Sequence, residues 1–119
     1  MFYFKRINDD KEYEVSEYVN SYLKKNFIIK IKIHVGCDSQ NFKSSTTYAT
    51  TIVFHLGNNG CHFIYRKETI PKIKDMWTKL WGETKRSVEI AKYLKNNNIF
   101  IDSIDLDFNN KSAHWSNKL

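Results

Sequence analysis

The run Ile31-Lys32-Ile33-His34-Val35-Gly36-Cys37-Asp38-Ser39-Gln40 decides the fold, read together with Ile104-Asp105-Leu106-Asp107-Phe108-Asn109. Both runs alternate as β-strands do. Ile31, Ile33, Val35 and Cys37 share one face, and Lys32, His34, Gly36 and Asp38 share the other. In the second run Ile104, Leu106 and Phe108 face one way, and Asp105 and Asp107 face the other. Each run ends in a carboxylate. If the two strands lie parallel and adjacent, Asp38 and Asp107 emerge at the same sheet edge, with side chains about 4–8 Å apart. Carboxylates that close repel each other unless a cation sits between them. An all-oxygen donor set suits Mg²⁺ or Mn²⁺. The chemistry expected is metal-dependent phosphoryl transfer.

Working outward, residues 11–25 read as an amphipathic helix with Val15, Tyr18, Val19, Tyr22 and Leu23 at three- and four-residue spacing. Asp9 or Asp10 is expected to cap its start, and Lys24 and Lys25 suit its end. The first strand covers 28–37, and 39–45 form a polar connection. Residues 46–56, rich in β-branched and aromatic side chains, are a second strand. Gly57-Asn58-Asn59-Gly60 marks a hairpin turn, and 61–68 make a third strand. Pro71 ends the strand region and can open a helix. Residues 72–97 read as one long helix or two joined ones, with Ile73, Trp77, Leu80, Trp81, Thr84, Val88, Ala91 and Leu94 on one broad face. Asn96-Asn97-Asn98 stops it. Residues 99–108 are the fourth strand. The fold class is therefore α/β: three antiparallel strands, a crossover helix, and a fourth strand parallel to the first. Such a crossover is right-handed, and ligands gather at the carboxyl ends of the strands in open sheets of this kind.

The length fits one domain, 1–119. Hydrophobic residues at 41% and aromatics at 15%, with a single Pro and 4 Gly, can fill a core and argue against a long disordered segment. The N-terminus is charged too early for a signal peptide. No apolar run approaches the ~20 residues that span a bilayer. A cytoplasmic protein with no membrane partner is expected, and Cys37 and Cys61 should be free thiols. Net charge is +6. It favours polyanions, although 16 of the 19 cations are Lys and a plain compositional bias accounts for this equally well. Residues 99–110 hold Asp102, Asp105 and Asp107 and no Lys or Arg, an acidic spot in a basic chain. A cation site within a phosphate-attracting surface has that character.

The element order and the acidic residues together resemble the ribonuclease H-like nuclease superfamily. More narrowly, Val35-Gly36-Cys37-Asp38-Ser39-Gln40, Leu80-Trp81-Gly82-Glu83, Ser87-Val88-Glu89-Ile90-Ala91 and Asp105-Leu106-Asp107-Phe108-Asn109 are similar to the small bacterial YkuK-like proteins, over residues 30–118. The resemblance implies a ribonuclease H-like mixed sheet. It implies a nuclease site with Asp38, Glu83 and Asp107 as catalytic metal ligands, and substrate contacts from Ser39, Gln40, Asn109 and Lys111. Ribonuclease H-like domains normally continue through another helix and strand to a further helix bearing a last Asp. This chain stops at Ser116-Asn117-Lys118-Leu119. A C-terminally shortened domain lacking the fourth acidic ligand is thus expected, with weak cleavage at most.

Each residue has a plainer role to set beside this. Asp38 could be a turn or cap residue. Asp105 and Asp107 could be one solvated strand face, although a central strand of an α/β sheet should be covered on both sides. Asp105 lies further from the edge. Glu83 lies about 70° from the centre of the apolar helix face and Glu89 about 170°, so Glu83 points to the sheet margin and Glu89 to solvent. A helix starting at Pro71 leaves Glu83 about 18 Å along it; a separate turn over 71–75, with Asp75 capping a helix that starts at Met76, places Glu83 in the second turn. His34, His55 and His62 read as structural or surface residues, and Trp77 and Trp81 as core. Lys111, His114 and Lys118 either touch phosphate or form a solvated tail.

The activity expected is hydrolysis of RNA, DNA or hybrid phosphodiesters, with the ions acidifying the attacking water and stabilising the leaving oxygen. The alternative is a catalytically inactive nucleic-acid-binding or assembly module of the same fold. A transposase- or resolvase-like DNA-processing piece would share the chemistry.

Overall fold

The structure, a computed structural model, describes residues 1–105; Asp107, Asn109, Lys111, His114 and Lys118 lie outside the described residues. In chain order the elements are β1 (Tyr3–Phe4), β2 (Tyr13–Glu14), α1 (Val15–Lys25), β3 (Lys32–Asn41), β4 (Ser45–His55), β5 (Cys61–Pro71), α2 (Met76–Asn96) and β6 (Ser103–Asp105). This is a mixed α/β architecture with a mixed four-stranded sheet, in the order β5-β4-β3-β6. The β3–β4 and β4–β5 pairs are antiparallel, and β3 and β6 are parallel.

The hairpins follow from local chemistry. Gly57 and Gly60 take positive φ (66° and 88°) between β4 and β5, where a side chain would be strained. β3 runs four residues beyond the expected end at 37, because Asp38, Ser39, Gln40 and Asn41 pair with Ala49, Tyr48, Thr47 and Thr46. Pairing with a β-branched partner outweighs the polar composition that suggested a loop. β5 similarly reaches Pro71, at its exposed end, so Pro71 closes a strand rather than opening a helix. Asp75 caps α2 by accepting from Thr78 N at 2.8 Å, and Met76 starts the helix.

The N-terminal region differs from the sequence expectation. α1 starts at Val15, and its cap is Glu14 rather than Asp9 or Asp10. The Glu14 carboxylate accepts from Glu17 N at 3.1 Å, from the Ser16 hydroxyl, and from the Tyr93 hydroxyl at 2.7 Å. Asp9 instead pairs with Arg6 and accepts from Tyr13. The short β1–β2 ribbon, which no strong strand pattern announces, holds Glu14 in place.

Both helices cover one face of the sheet. Ile33, Val35, Ile52, Phe54 and Ile64 meet Phe4, Val15, Val19, Ile90, Leu94 and Ile99 there. Fully burying each large aliphatic side chain contributes about 1.5–3 kcal/mol. No described helix covers the other face, which carries His34, Gly36 and Asp38. β6 is the edge strand among the described residues, with Ile104 and Asp105 exposed. The expectation of a central strand covered on both sides therefore does not hold for Asp105.

The expectation that Trp77 and Trp81 are core residues is also corrected: they are 40% and 70% exposed. The buried residues of α2 are Ser87, Ile90, Ala91 and Leu94. Their direction is rolled by about 60° from the face marked by the apolar residues, at about 100° per residue. Polar contacts set this roll. The Tyr48 ring sits beneath Gly82, and its hydroxyl donates to Lys79 O at 3.1 Å. Arg86 lies 3.8 Å over that ring and bonds Glu68 at 2.8 Å. After the roll Glu83 lies within about 30° of the buried direction.

Candidate functional site

The site forms where β3 outruns the described part of β6. The parallel register pairs His34 with Ser103, Val35 with Ile104 and Gly36 with Asp105. Asp102 fixes this register: its carboxylate accepts from Ile33 N at 2.7 Å, and its own N–H donates to Ile33 O at 2.9 Å. Asp38 lies two residues beyond Gly36, about 7 Å further along the strand.

Ser39 is the junction. Its hydroxyl donates to the Glu83 carboxylate of α2, and its backbone N–H donates to Asp38 Oδ1 at 3.0 Å. One residue thereby engages two of the acids singled out in the sequence. Alternation along β3 puts Ser39 on the helix-covered face and Asp38 on the other. The two carboxylates thus flank the β3 backbone from opposite sides. Asp38 is exposed and Glu83 half-buried.

Beneath Glu83, Cys37 is buried, and this desolvation pushes its thiol up to about 11. Thr50 donates to its sulfur at 3.5 Å. Cys61 is exposed, and both cysteines are free. On the uncovered face a shallow hollow is lined by residues that include Gly36, Asp38, Thr51, Val53 and Asp105. Asp105, ranked below Asp107 in sequence, therefore shares a hollow with Asp38. The signal was there: Asp105 falls on the same strand face as Asp107.

Gln40 is exposed on the Asp38 side of β3. Glu89 is exposed, as its helical position indicates. The strand histidines sit in structural contacts. His34 bonds Ser103 and packs edge-on against His55. His62 bonds the Tyr18 hydroxyl at 2.6 Å.

Among the described residues no three His, Cys, Asp or Glu side chains converge as a metal cage. Asp38 and Glu83 both offer carboxylate oxygens, the donor type that a hard divalent cation takes, and they offer them from opposite faces of β3. Among the described residues no helix is long and apolar enough to cross a membrane.

A family model described as Ribonuclease H-like matches residues 14–115. No curated protein and no solved structure matches the chain.

Proposed function

The chain belongs to the ribonuclease H-like family, and from that premise we propose that it is a metal-dependent nuclease acting on RNA or DNA at the β3 margin. The observation that carries the proposal is the Ser39 junction, which ties the carboxylates of Asp38 and Glu83 to one backbone position. Asp38, Glu83 and Asp107 are the proposed ligands of Mg²⁺ or Mn²⁺. Asp107, outside the described residues, is included on the sequence alternation it shares with Asp105. Asp105 is a further candidate from the same hollow.

When bound, such ions supply an acidified water and charge neutralisation at the leaving oxygen. The protein's own residues have separate tasks. The Ser39 N–H and hydroxyl orient the two carboxylates. Gln40, Asn109 and Lys111, with Ser39, are the proposed substrate contacts. The narrower YkuK-like likeness and a cytoplasmic location belong to the same proposal.

The test is cleavage of end-labelled single-stranded RNA, single-stranded DNA and hybrid duplex, with Mg²⁺, Mn²⁺ or chelator. Cleavage should require the divalent ion and be lost in Asp38→Asn, Glu83→Gln and Asp107→Asn. Cleavage that persists in chelator would refute the metal role. Binding without cleavage on every substrate would select the inactive module instead.

A further inference from the structure

The roll that brings Glu83 onto the sheet turns the opposite side of α2 into an unusual surface. Trp81, 70% exposed, points about 130° away from the buried direction of the helix. Lys85, Lys92 and Lys95 are all exposed and lie on the same outward side, at successive helical steps from Trp81. Trp77 lies one turn before Trp81, at 40% exposure. Of the two acids in α2, Glu83 faces the sheet and Glu89 flanks the stripe. From Trp77 to Lys95 the stripe runs about 27 Å.

A tryptophan left this exposed forgoes the burial that its size would reward, so the surface needs a partner that accepts both a flat apolar ring and a row of ammonium groups. A protein partner fits poorly, because lysines are depleted at the cores of protein interfaces. Duplex nucleic acid hides its base faces from an indole on a convex helix. A single strand offers unpaired bases to stack and phosphates to pair with lysine. We propose that the outer face of α2, centred on Trp81 with Lys85, Lys92 and Lys95, binds single-stranded nucleic acid, with a base stacked on the Trp81 indole. This binding surface rests on the nucleic-acid reading above but not on its metal site, since the stripe faces away from Glu83.

The experiment measures binding of fluorescein-labelled oligo-dT and oligo-U, and of the corresponding duplexes, by anisotropy in chelator, which withholds the proposed metal. The wild-type chain should bind single strands more tightly than duplexes. Trp81→Ala should weaken single-strand binding by between about five- and a hundredfold. The double variant Lys85→Glu, Lys92→Glu should weaken it and reduce the salt slope by about 1.4, for two lost phosphate contacts. Lys24→Glu, on α1, should bind as the wild type does. Because Trp81 is exposed, its removal should leave the melting temperature nearly unchanged, and Trp81→Phe should recover part of the affinity.

Tight single-strand binding that is indifferent to Trp81→Ala and to the double lysine variant overturns the stripe while the nucleic-acid reading stands. A preference for duplex overturns it as well. No binding to any oligonucleotide at low salt removes both. Loss of binding in Trp81→Ala, in a protein that cleaves nothing, supports the stripe while the nuclease proposal fails.

Discussion

The ring of Tyr48 on β4 lies against the backbone of Gly82 on α2, with its Cζ 2.7 Å from the place a β-carbon at Gly82 would occupy. Glycine inside a helix normally weakens it by about 1 kcal/mol relative to alanine. Here it lets the helix settle onto a buried tyrosine, next to the residue that meets Ser39. Gly82→Ala should therefore destabilise the protein, the overpacking cost of about 1–3 kcal/mol exceeding the gain in propensity. Thermal unfolding checks this: a fall of several degrees is expected, and a melting temperature at or above wild type would show that α2 can move aside freely.

Divalent metal should stabilise the folded chain by linkage, because a ligand that binds only the native state adds stability as the logarithm of one plus its concentration over Kd. Mn²⁺ or Mg²⁺ should raise the melting temperature of the wild-type protein, and Asp38→Asn should abolish the rise. Ser39→Ala should lower the metal response and cost about 1 kcal/mol of stability in the absence of metal, the ordinary worth of a hydrogen bond. A metal response that survives Asp38→Asn would place the ion elsewhere.

His62 gives a pH dependence with a definite sign. Burial among aromatic rings, reinforced by the positive charge of Arg6, lowers its pKa from the ordinary value of 6.5. Its neutral ring nitrogen is bonded to the Tyr18 hydroxyl at 2.6 Å, and its ring stacks on Tyr22 with centroids 4.7 Å apart. As pH falls below about 6.5 the unfolded chain takes up a proton that the folded chain resists, so stability drops through that window. Above it both states are neutral, and this contribution is flat. His62→Gln should flatten the dependence between about pH 7 and pH 5. Denaturation midpoints at several pH values in that range decide the matter; an unchanged slope would assign it to other groups.

The two thiols should differ sharply in reactivity. Cys61 is exposed, whereas Cys37 is buried beside the Glu83 carboxylate with its thiol pushed up to about 11. Since the thiolate is the reactive form, a disulfide reagent near pH 8 should titrate one thiol quickly and the second only on unfolding. Two fast thiols would mean that the sheet opens readily beneath the proposed site.

Much of this arrangement can be read from sequence where local chemistry decides it. Asp75 marks the start of α2 because an N-cap carboxylate accepts the backbone N–H three residues on. Gly57 and Gly60 mark the β4–β5 hairpin because only glycine takes their φ without strain. The alternation through Ile33, Val35 and Cys37 identifies the buried face of β3. Misreadings arise where a distant partner decides. The polar run Ser39-Gln40-Asn41 is strand because β4 pairs with it. Trp81 is exposed because Tyr48, Arg86 and Glu68 hold α2 at a different roll from the one its apolar residues suggest. Glu14 displaces Asp9 as the α1 cap because Asp9 already serves Arg6 and Tyr13. The site is legible by residue type and not by facing: Asp38 and Glu83 could be named from sequence, but their approach from opposite sides of β3 depends on that same roll.

The most direct test of a metal site at the β3 margin is a Mn²⁺ titration followed by amide resonances, since the paramagnetic ion broadens signals only from its neighbours. Broadening should appear first at Asp38, Ser39, Gln40, Glu83 and Asp107, leave His62 at the far end of the sheet sharp, and vanish in Asp38→Asn. Broadening centred on another acidic group, such as Glu68 or Glu14, or no selective broadening at any concentration, would contradict the account.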